Sequence, residues 1–590
     1  MCGIFGYIGT KNASGVILDG LKRLEYRGYD SWGVAVLTKN GIKVAKKVGA
    51  IGDYHAISSL PKSTIGIGHT RWATHGGVTY KNAHPHFSTD KSFVLAQNGI
   101  VENYIELKKS LVKEGFKFTT QTDTEIIVRL VEKYRLKGSS LKKAVIKAFK
   151  SLKGRNTIVV LDSLQRRVIA IRNGSPLVVG IGKEEYFFAS DTLSFADRTN
   201  DVVYIEDMQM VVYEEETLSV TDLSTLKMIA VKPTHLNHKD VLVNKDGYEH
   251  FMLKEIMEER HVLSNAVNYS LQDLKPLLSA IKKANTVFTI GAGGAFLAAD
   301  QVAYLLRSIA GIKAVGMRAY EIDSYSHFFQ KGDVVIAISQ SGETADTIEA
   351  LKVIKAKGVK VASAVNMLGS TITRMSDYPF FSRSGSEICV LSTKSGVAEV
   401  AFGYMLAHAF NGIKVASEIQ KLETYLDKKY LTKDFIAHTK RIAKKIAKRD
   451  HAFLLGKGAN YLVASIGALN IKEASCVHAE GFAAGELKHG VIALIEKGTP
   501  VITFVDTDSD HDYMISATAE VKARGAFVIG IGVENHELFD EFIPLPTLSK
   551  LNCAIIANII PCQLLAYHLA VLKGLNPDKP RNLAKSVTVK

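Results

Sequence analysis

The sequence predicts an α+β domain followed by two similar α/β units with parallel sheets, and three observations carry that prediction. Residues 1–232 hold short β-like runs (Gly33 to Leu37, Ser92 to Ala96, Thr157 to Leu161, Val168 to Ile171, Tyr186 to Ala189) with helical patterns between them. The second half repeats itself: Val287-Phe-Thr-Ile-Gly-Ala-Gly-Gly-Ala-Phe-Leu-Ala returns in pattern as Ala452-Phe-Leu-Leu-Gly-Lys-Gly-Ala-Asn-Tyr-Leu-Val, each copy strand, glycine turn, helix. A later buried strand follows each copy, Asp333 to Ile338 in the first and Pro500 to Val505 in the second, and alternation of β and α elements argues for a parallel sheet.

The boundaries follow from composition. Val231 to Lys245 loses periodicity and carries a proline, and Glu249 to Ser264 beyond it reads as a charged amphipathic helix. The expected organisation is a first domain over 1–232, a linker at 233–247, two repeats at 248–430 and 431–575, and a tail at 576–590. With 590 residues, 47% hydrophobic and 23% charged, the chain has an ordinary globular composition.

Several classes are disfavoured on the same grounds. No segment reads as a signal peptide. The stretch Leu551 to Leu572 is apolar but is interrupted by Asn552, Asn558, Pro561, Gln563 and His568, which favours a core helix over a bilayer span, and a cytoplasmic protein is expected. The five cysteines (Cys2, Cys389, Cys476, Cys553, Cys562) are scattered without a C-x-x-C pair, so neither a disulfide framework nor a zinc site is indicated. The formal charge of +15 invites a nucleic-acid partner, yet the densest basic run, Lys440 to Arg449, alternates with apolar residues as a solvated helix face does. An anionic small substrate remains compatible with that charge.

Cys2 is the most informative single position. Removal of Met1 would leave a thiol and a free α-amine on one residue, and an α-amine with a pKa of ~7.7–8.0 can accept the thiol proton at neutral pH. Position alone favours an incidental cysteine near a frayed end. His69-Thr-Arg-Trp-Ala-Thr-His-Gly76 then gathers two imidazoles, a guanidinium and two hydroxyls, with Arg71 suited to a bidentate carboxylate pair. Gln97-Asn98-Gly99-Ile100 follows an apolar strand and reads either as a common Asn-Gly turn or as an oxyanion hole built from a side-chain amide and a glycine N–H. Asp123 reads either as a helix N-cap or as an acceptor for a substrate ammonium.

In the first repeat an apolar strand delivers Ser339-Gln-Ser-Gly-Glu-Thr344 to a helix start. Three hydroxyls and several unpaired N–H groups there describe a phosphate site, against the alternative of a serine-rich N-cap. The matching loop of the second repeat, Asp506 to Asp510, would repel phosphate, so one phosphate per chain is expected.

Cys2-Gly3-Ile4, Leu24-Glu-Tyr-Arg-Gly-Tyr-Asp-Ser31, His69 to Gly76, Asn98-Gly99 and Thr122-Asp123-Thr124-Glu125 together resemble the glutaminase domain of the N-terminal-nucleophile amidotransferases. The duplicated half resembles the sugar isomerase domains, and the combination, over essentially the whole chain, is similar to the glutamine:fructose-6-phosphate amidotransferase family. The resemblance implies an αββα-layered glutaminase domain whose Cys2 attacks the glutamine amide, with Asn98 and Gly99 stabilising the oxyanion. Arg71, Thr74, His75, Gly99 and Asp123 would hold glutamine, and Trp72 would help gate ammonia. In the sugar half it implies that Ser339, Gln340, Ser341, Thr344, Val390, Ser392 and Ala584 contact the sugar phosphate, the tail closing over it. Glu473 would shuttle the isomerisation proton, His489 would help open the ring from a neighbouring subunit, and Lys585 would form an imine with the keto group. Read without the resemblance, Glu473 is a charged helix-surface residue. No metal or organic cofactor is implied, the substrates are glutamine and fructose 6-phosphate, and a homodimer without nucleic-acid or membrane partners is expected.

Two departures bear on the sugar half. The family's Gly-Thr-Ser turn is Gly291-Ala292-Gly293-Gly294 here, and a lysine three residues before the catalytic glutamate is Asn470, with Lys472 offset on the helix. Weaker sugar binding, a different keto-sugar phosphate, or compensation by backbone N–H groups all stay open. A phosphoribosyl-pyrophosphate amidotransferase or an asparagine synthetase would need pyrophosphate-binding motifs that the sequence does not contain. A non-catalytic sugar-phosphate sensor, the rival from another class, would not need Lys585.

Overall fold

The computed structural model describes residues 2–52, 60–236, 244–506, 509–546 and 553–588. They form two compact units, Met1–Val243 with Ala584–Lys590, and Asn244–Leu583. Part of the expected linker, 237–243, lies outside the described residues.

The first unit is built on two antiparallel sheets of eight and seven strands. Its strands alternate as a two-sided burial requires. In Phe93–Gly99, Phe93 and Leu95 pack under the helices Thr124–Leu136 and Leu141–Lys150, while Val94 and Ala96 join the apolar layer between the sheets. In Gly3–Ile8, Ile4 and Ile8 enter that same layer, and Phe5 and Tyr7 face the helix Ala13–Arg23. Helix, sheet, sheet, helix is therefore the order of layers, the αββα arrangement expected. Asn98-Gly99 is not a hairpin turn. The strand runs through both residues, with Gly99 opposite Asn156, because the apolar period of Phe93 to Ala96 is carried on by cross-strand pairing.

The second unit contains two five-stranded parallel sheets with one shared topology. The first runs in the order Ala314–Arg318, Val287–Gly291, Val334–Ser339, Lys360–Val365, Tyr378–Phe381; the second runs His478–Ala483, His451–Gly456, Pro500–Val505, Phe527–Gly532, Glu541–Pro544. In each, the second strand of the chain lies on one side of the first strand and the third lies on the other. The chain connections therefore part at the carboxyl ends of the first and third strands, the place where open α/β sheets bind ligands. The most apolar stretch, Ile555–Leu572, is 89% buried inside the protein. It supplies the core helix Ile560–Leu572, which packs against Ala459–Ser475.

Candidate active sites

In the first unit, strand register places the nucleophile. Gly3 pairs with Thr70, so Cys2 reaches the end of Ile65–Arg71. There the backbone of Trp72 holds the thiol from both sides, its N–H donating to Cys2 Sγ at 3.4 Å and its carbonyl accepting from Sγ at 3.6 Å. Burial raises the thiol pKa, while the chain's amino group, the Trp72 hydrogen bond and the Arg71 charge pull it down. Asp123 acts on the same thiol, and His75 acts on Asp123, so residues distant in sequence share one electrostatic neighbourhood.

Arg71 does not point freely outward. Its Nη1 donates to Gly77 O at 3.1 Å and its Nη2 to the carbonyls of His75 and Gly76, so the guanidinium shapes the loop that carries Thr74 and His75. Ala73 N donates to Asp30 Oδ2 at 2.7 Å and pins the other side of that loop. Asp123 occupies the residue before the helix Thr124–Leu136 but makes no side-chain cap; its Oδ2 accepts from Val101 N at 2.8 Å. The N-cap alternative therefore falls, and burial raises the carboxyl pKa.

Gly99 has φ +131°, and a Cβ there would lie 2.0 Å from Arg155 O, so only glycine permits this close approach. Beside it, Asn98 is buried with its side chain on Ser190 Oγ at 2.8 Å. Three buried imidazoles brace the site from behind: the rings of His69 and His84 meet at a tilt with centroids 4.2 Å apart, and His84 meets His86 edge to face at 4.8 Å. His69 Nε2 bonds Gln97 O, His84 Nε2 bonds Thr124 Oγ1 and His86 Nε2 bonds Thr122 Oγ1, so the cluster grips the residue before Asn98 and both neighbours of Asp123. Burial drives His69 down to about 3 and holds His84 and His86 well below the ordinary histidine value, so all three are neutral.

Sequence reading missed two parts of this site. One is the bracing histidines His84 and His86. The other is Ser190, with the buried Arg27–Asp191 ion pair (2.6 Å) beside it in sequence, to which Tyr26 also donates. The run Leu24 to Ser31 signals Arg27, but no local pattern signals Ser190.

In the second unit, Ser339, Gln340, Ser341 and Thr344 leave the strand Val334–Ser339 and meet the helix Ala345–Ala356. Thr344 makes no side-chain cap, which removes the N-cap alternative for it. Ser339 Oγ accepts from Gly342 N at 3.0 Å and lies 3.3 Å from Thr344 Oγ1. The loop is held from outside, since the Glu343 carboxylate accepts from Thr371 N and Oγ1, and Gly342 O accepts from Ile372 N. Glu343 is another residue the sequence did not single out.

Val390 and Ser392 sit on a loop strung over two buried carboxylates. Glu255 accepts from Ile388 N and Cys389 N, and Glu387 accepts from Thr393 N and Ser395 N. A Cβ on Gly294 would contact both Ser392 Cβ (3.7 Å) and Leu469 Cδ2 (3.9 Å), so the first glycine turn, the Ser392 loop and the helix Ala459–Ser475 converge. That helix carries the buried Asn470, whose Oδ1 has no partner among the described residues, and the half-buried Glu473. A cavity of about 510 Å³ between the helices Gly294–Ala310 and Ala459–Ser475 is lined by Gly293 and Lys472 but not by the Ser339–Thr344 loop. His489 ends the 3-10 turn Ala484–His489 and is exposed. Ala584 and Lys585 are half-buried in the tail that groups with the first unit, where Arg155 Nε donates to Thr588 O at 3.0 Å.

Comparison with known proteins adds family identity to this geometry. A glutamine amidotransferase domain matches residues 69–197, and SIS domains match 280–409 and 445–573. Glutamine--fructose-6-phosphate aminotransferases (isomerizing) of Pyrococcus horikoshii and Chlorobaculum tepidum are 40% and 38% identical to the chain, in each case over 100% of both chains. The solved C-terminal domain of glucosamine-fructose-6-phosphate aminotransferase from Francisella tularensis superimposes with TM-score 0.53 at 30% identity, covering 57% of this chain and 100% of that one. With both domain types matched and full-length relatives at this identity, the chain belongs to the glutamine--fructose-6-phosphate aminotransferase (isomerizing) family.

Proposed function

We propose that the protein converts glutamine and fructose 6-phosphate to glutamate and glucosamine 6-phosphate, with Cys2 as the glutamine nucleophile. The observation that carries this reading is the Cys2 thiol gripped by the Trp72 backbone within the electrostatic reach of Arg71 and Asp123. In the first half-reaction Sγ bonds to the amide carbon, the α-amine exposed by removal of Met1 takes the thiol proton, and the developing oxyanion is met by Asn98 and the Gly99 N–H. Collapse breaks the C–N bond and releases ammonia, which carries away the thiol proton, and water then cleaves the thioester to glutamate. Asp123 receives the substrate ammonium, and Arg71, Thr74 and His75 form the pocket for its carboxylate. Trp72 gates passage of the ammonia.

In the second half-reaction the Ser339, Gln340, Ser341 and Thr344 loop holds the phosphate at a helix N-terminus, with Val390, Ser392 and Ala584 against the sugar. His489 assists ring opening, and its exposure suits a role in the site of a neighbouring subunit. Lys585 forms an imine at C2 with loss of water. Ammonia then displaces the lysine, and Glu473 moves a proton from C1 to C2 while the C1 hydroxyl proton passes to the imine nitrogen, which gives the aldehyde at C1 and the amine at C2. On this reading the protein is a cytoplasmic homodimer that engages neither nucleic acid nor membrane. The expected domain limits are 1–232, 248–430 and 431–575, with the 576–590 tail closing the sugar site.

The test is quantification of glucosamine 6-phosphate and glutamate from purified protein whose N-terminus has been verified by mass. Absence of amino sugar at any sugar concentration sinks the reading. Cys2→Ala is expected to lose glutamine-dependent synthesis entirely while ammonia-dependent synthesis persists. The Gly291 to Gly294 turn and Asn470 favour one second reading, a different keto-sugar phosphate, which the same assay with other ketose phosphates decides.

A further inference from the structure

Ser190 links the nucleophile strand to the oxyanion strand. Its N–H donates to Ile4 O at 3.1 Å, and its Oγ accepts from Ile4 N at 2.8 Å. Ile4 lies two residues from Cys2, and the same Oγ lies 2.8 Å from the Asn98 side-chain amide. Ser190, Asn98 and His69 are all buried.

Hydrogen-bond accounting decides how that amide is oriented, because the two ends of an asparagine amide differ only in the hydrogens they carry. With Nδ2 toward Ser190, the serine oxygen accepts twice and its proton finds no acceptor among the described residues, while Asn98 Oδ1 is buried without a partner. His69 Nδ1 is buried without a partner as well. Because His69 Nε2 must donate to the Gln97 carbonyl, Nδ1 of this neutral ring carries a lone pair that requires a donor. His69 stands opposite Ile4 across the sheet and its Nε2 bonds the carbonyl of the peptide that leads into Asn98, which sets the ring beside the Asn98 side chain. A half-turn of the amide resolves all three deficits. The Ser190 hydroxyl then donates to Asn98 Oδ1 over the same 2.8 Å, one Nδ2 hydrogen turns to His69 Nδ1, and the second is left for the substrate.

We propose that Ser190 and His69 are positioning residues that lock the Asn98 amide with its NH2 group toward the oxyanion formed at Cys2. A hydroxyl that both accepts from Ile4 N and donates to Asn98 Oδ1 also fixes the spacing between the strand that carries the nucleophile and the strand that carries the oxyanion donor. The proposal rests on the reading of Cys2 as the glutamine nucleophile.

The test uses the full-length protein. Ser190→Ala is expected to lower kcat for glutamine hydrolysis about 10- to 100-fold with KM changed less than about twofold, since only a transition-state interaction is misaligned. Ser190→Thr, which keeps the hydroxyl, is expected to recover most of that loss. Inhibition by glutamate γ-semialdehyde, whose aldehyde carbon bonds to Sγ while the thiol proton passes to its oxygen, should weaken in parallel with kcat. Alkylation of Cys2 by iodoacetamide should keep its rate.

An unchanged kcat in Ser190→Ala overturns the proposal. So does a Ser190→Thr variant no better than Ser190→Ala, or an alkylation rate that falls together with kcat and so reports a displaced Cys2 strand. Continued glutamine hydrolysis by Cys2→Ala, measured alongside, would overturn the nucleophile reading and this proposal with it. Hydrolysis abolished in Cys2→Ala but intact in Ser190→Ala overturns the positioning role alone.

Discussion

The two repeats of the second unit have the same strand order and the same glycine turn, yet their equivalent loops hold opposite chemistry. In the first, the loop after Val334–Ser339 presents Ser339, Ser341 and Thr344, and its one carboxylate, Glu343, is occupied in bonding Thr371. In the second, Asp506 accepts from Asn460 Nδ2 at 2.7 Å, Asp510 accepts from Lys457 Nζ at 2.5 Å, and Asn558 Nδ2 donates to Asn460 Oδ1 at 2.8 Å. Residues 507 and 508 of that loop lie outside the described residues. The sheet topology creates a ligand-binding position twice, and side-chain charge determines which of the two can receive an anion. An ion pair between Lys457 and Asp510 and a chain of amide hydrogen bonds to Asp506 occupy the second position, and the Asp506 carboxylate there keeps its charge.

The comparison breaks most decisively if the first loop is made to resemble the second. Ser341→Asp removes a hydroxyl donor and places a carboxylate beside the expected phosphate. A hydrogen bond to a charged group contributes ~1.5–3 kcal/mol, and repulsion adds to its loss, so KM for fructose 6-phosphate should rise about 100-fold or more. Steady-state kinetics with varied sugar check this, and a KM within twofold of the parent would show that the loop does not hold the phosphate.

Backbone geometry sharpens the contrast at a smaller magnitude. Gly342 has φ +62°, and a Cβ there would lie 2.0 Å from Ser370 Oγ and 2.5 Å from Ser370 Cβ. Gly458, in the second glycine turn, has φ +56°, but its nearest neighbour would be Tyr304 Oη at 2.8 Å, the far end of a long side chain. Gly342→Ala should therefore cost about 2–3 kcal/mol, and Gly458→Ala about 1 kcal/mol. Thermal unfolding of the two variants should show the larger fall in midpoint for Gly342→Ala. Equal midpoints would mean that the Ser339–Thr344 loop is no more tightly built than the second glycine turn.

Much of this was legible in the chain, for identifiable reasons. The αββα layers and the parallel repeats announce themselves through period-2 burial, as at Phe93 to Ala96, and through a duplicated strand-turn-helix pattern, both local properties. Strand Pro500–Val505 coincides with the run singled out in the sequence. Asn98-Gly99 was ambiguous because the same dipeptide serves hairpin turns, and only pairing with Thr157 and Asn156 across the sheet makes it a strand end. Asp123 was ambiguous for a similar reason: the residue before a helix caps it unless a tertiary donor, here Val101 N, claims the carboxylate first. Ser190 and Glu343 were not legible at all, since each acts through a partner on another element, and a serine or glutamate carries no sign of that partner in its neighbours.

The smallest expected effect is also the most discriminating for the duplication. The side chains of Lys457 and Asp510 are 44% and 28% exposed, so their ion pair is screened by water and contributes at most ~1 kcal/mol. Asp510→Ala should lower the thermal midpoint barely, and it should not create a second phosphate site. The Asp506 carboxylate remains, held by Asn460, and Asn460 is held in turn by the buried Asn558, so negative charge persists where a phosphate would have to sit. Calorimetric titration with fructose 6-phosphate should therefore still give one sugar per chain. A second bound sugar in Asp510→Ala would show that one half-buried carboxylate, rather than the whole network behind it, separates the two repeats.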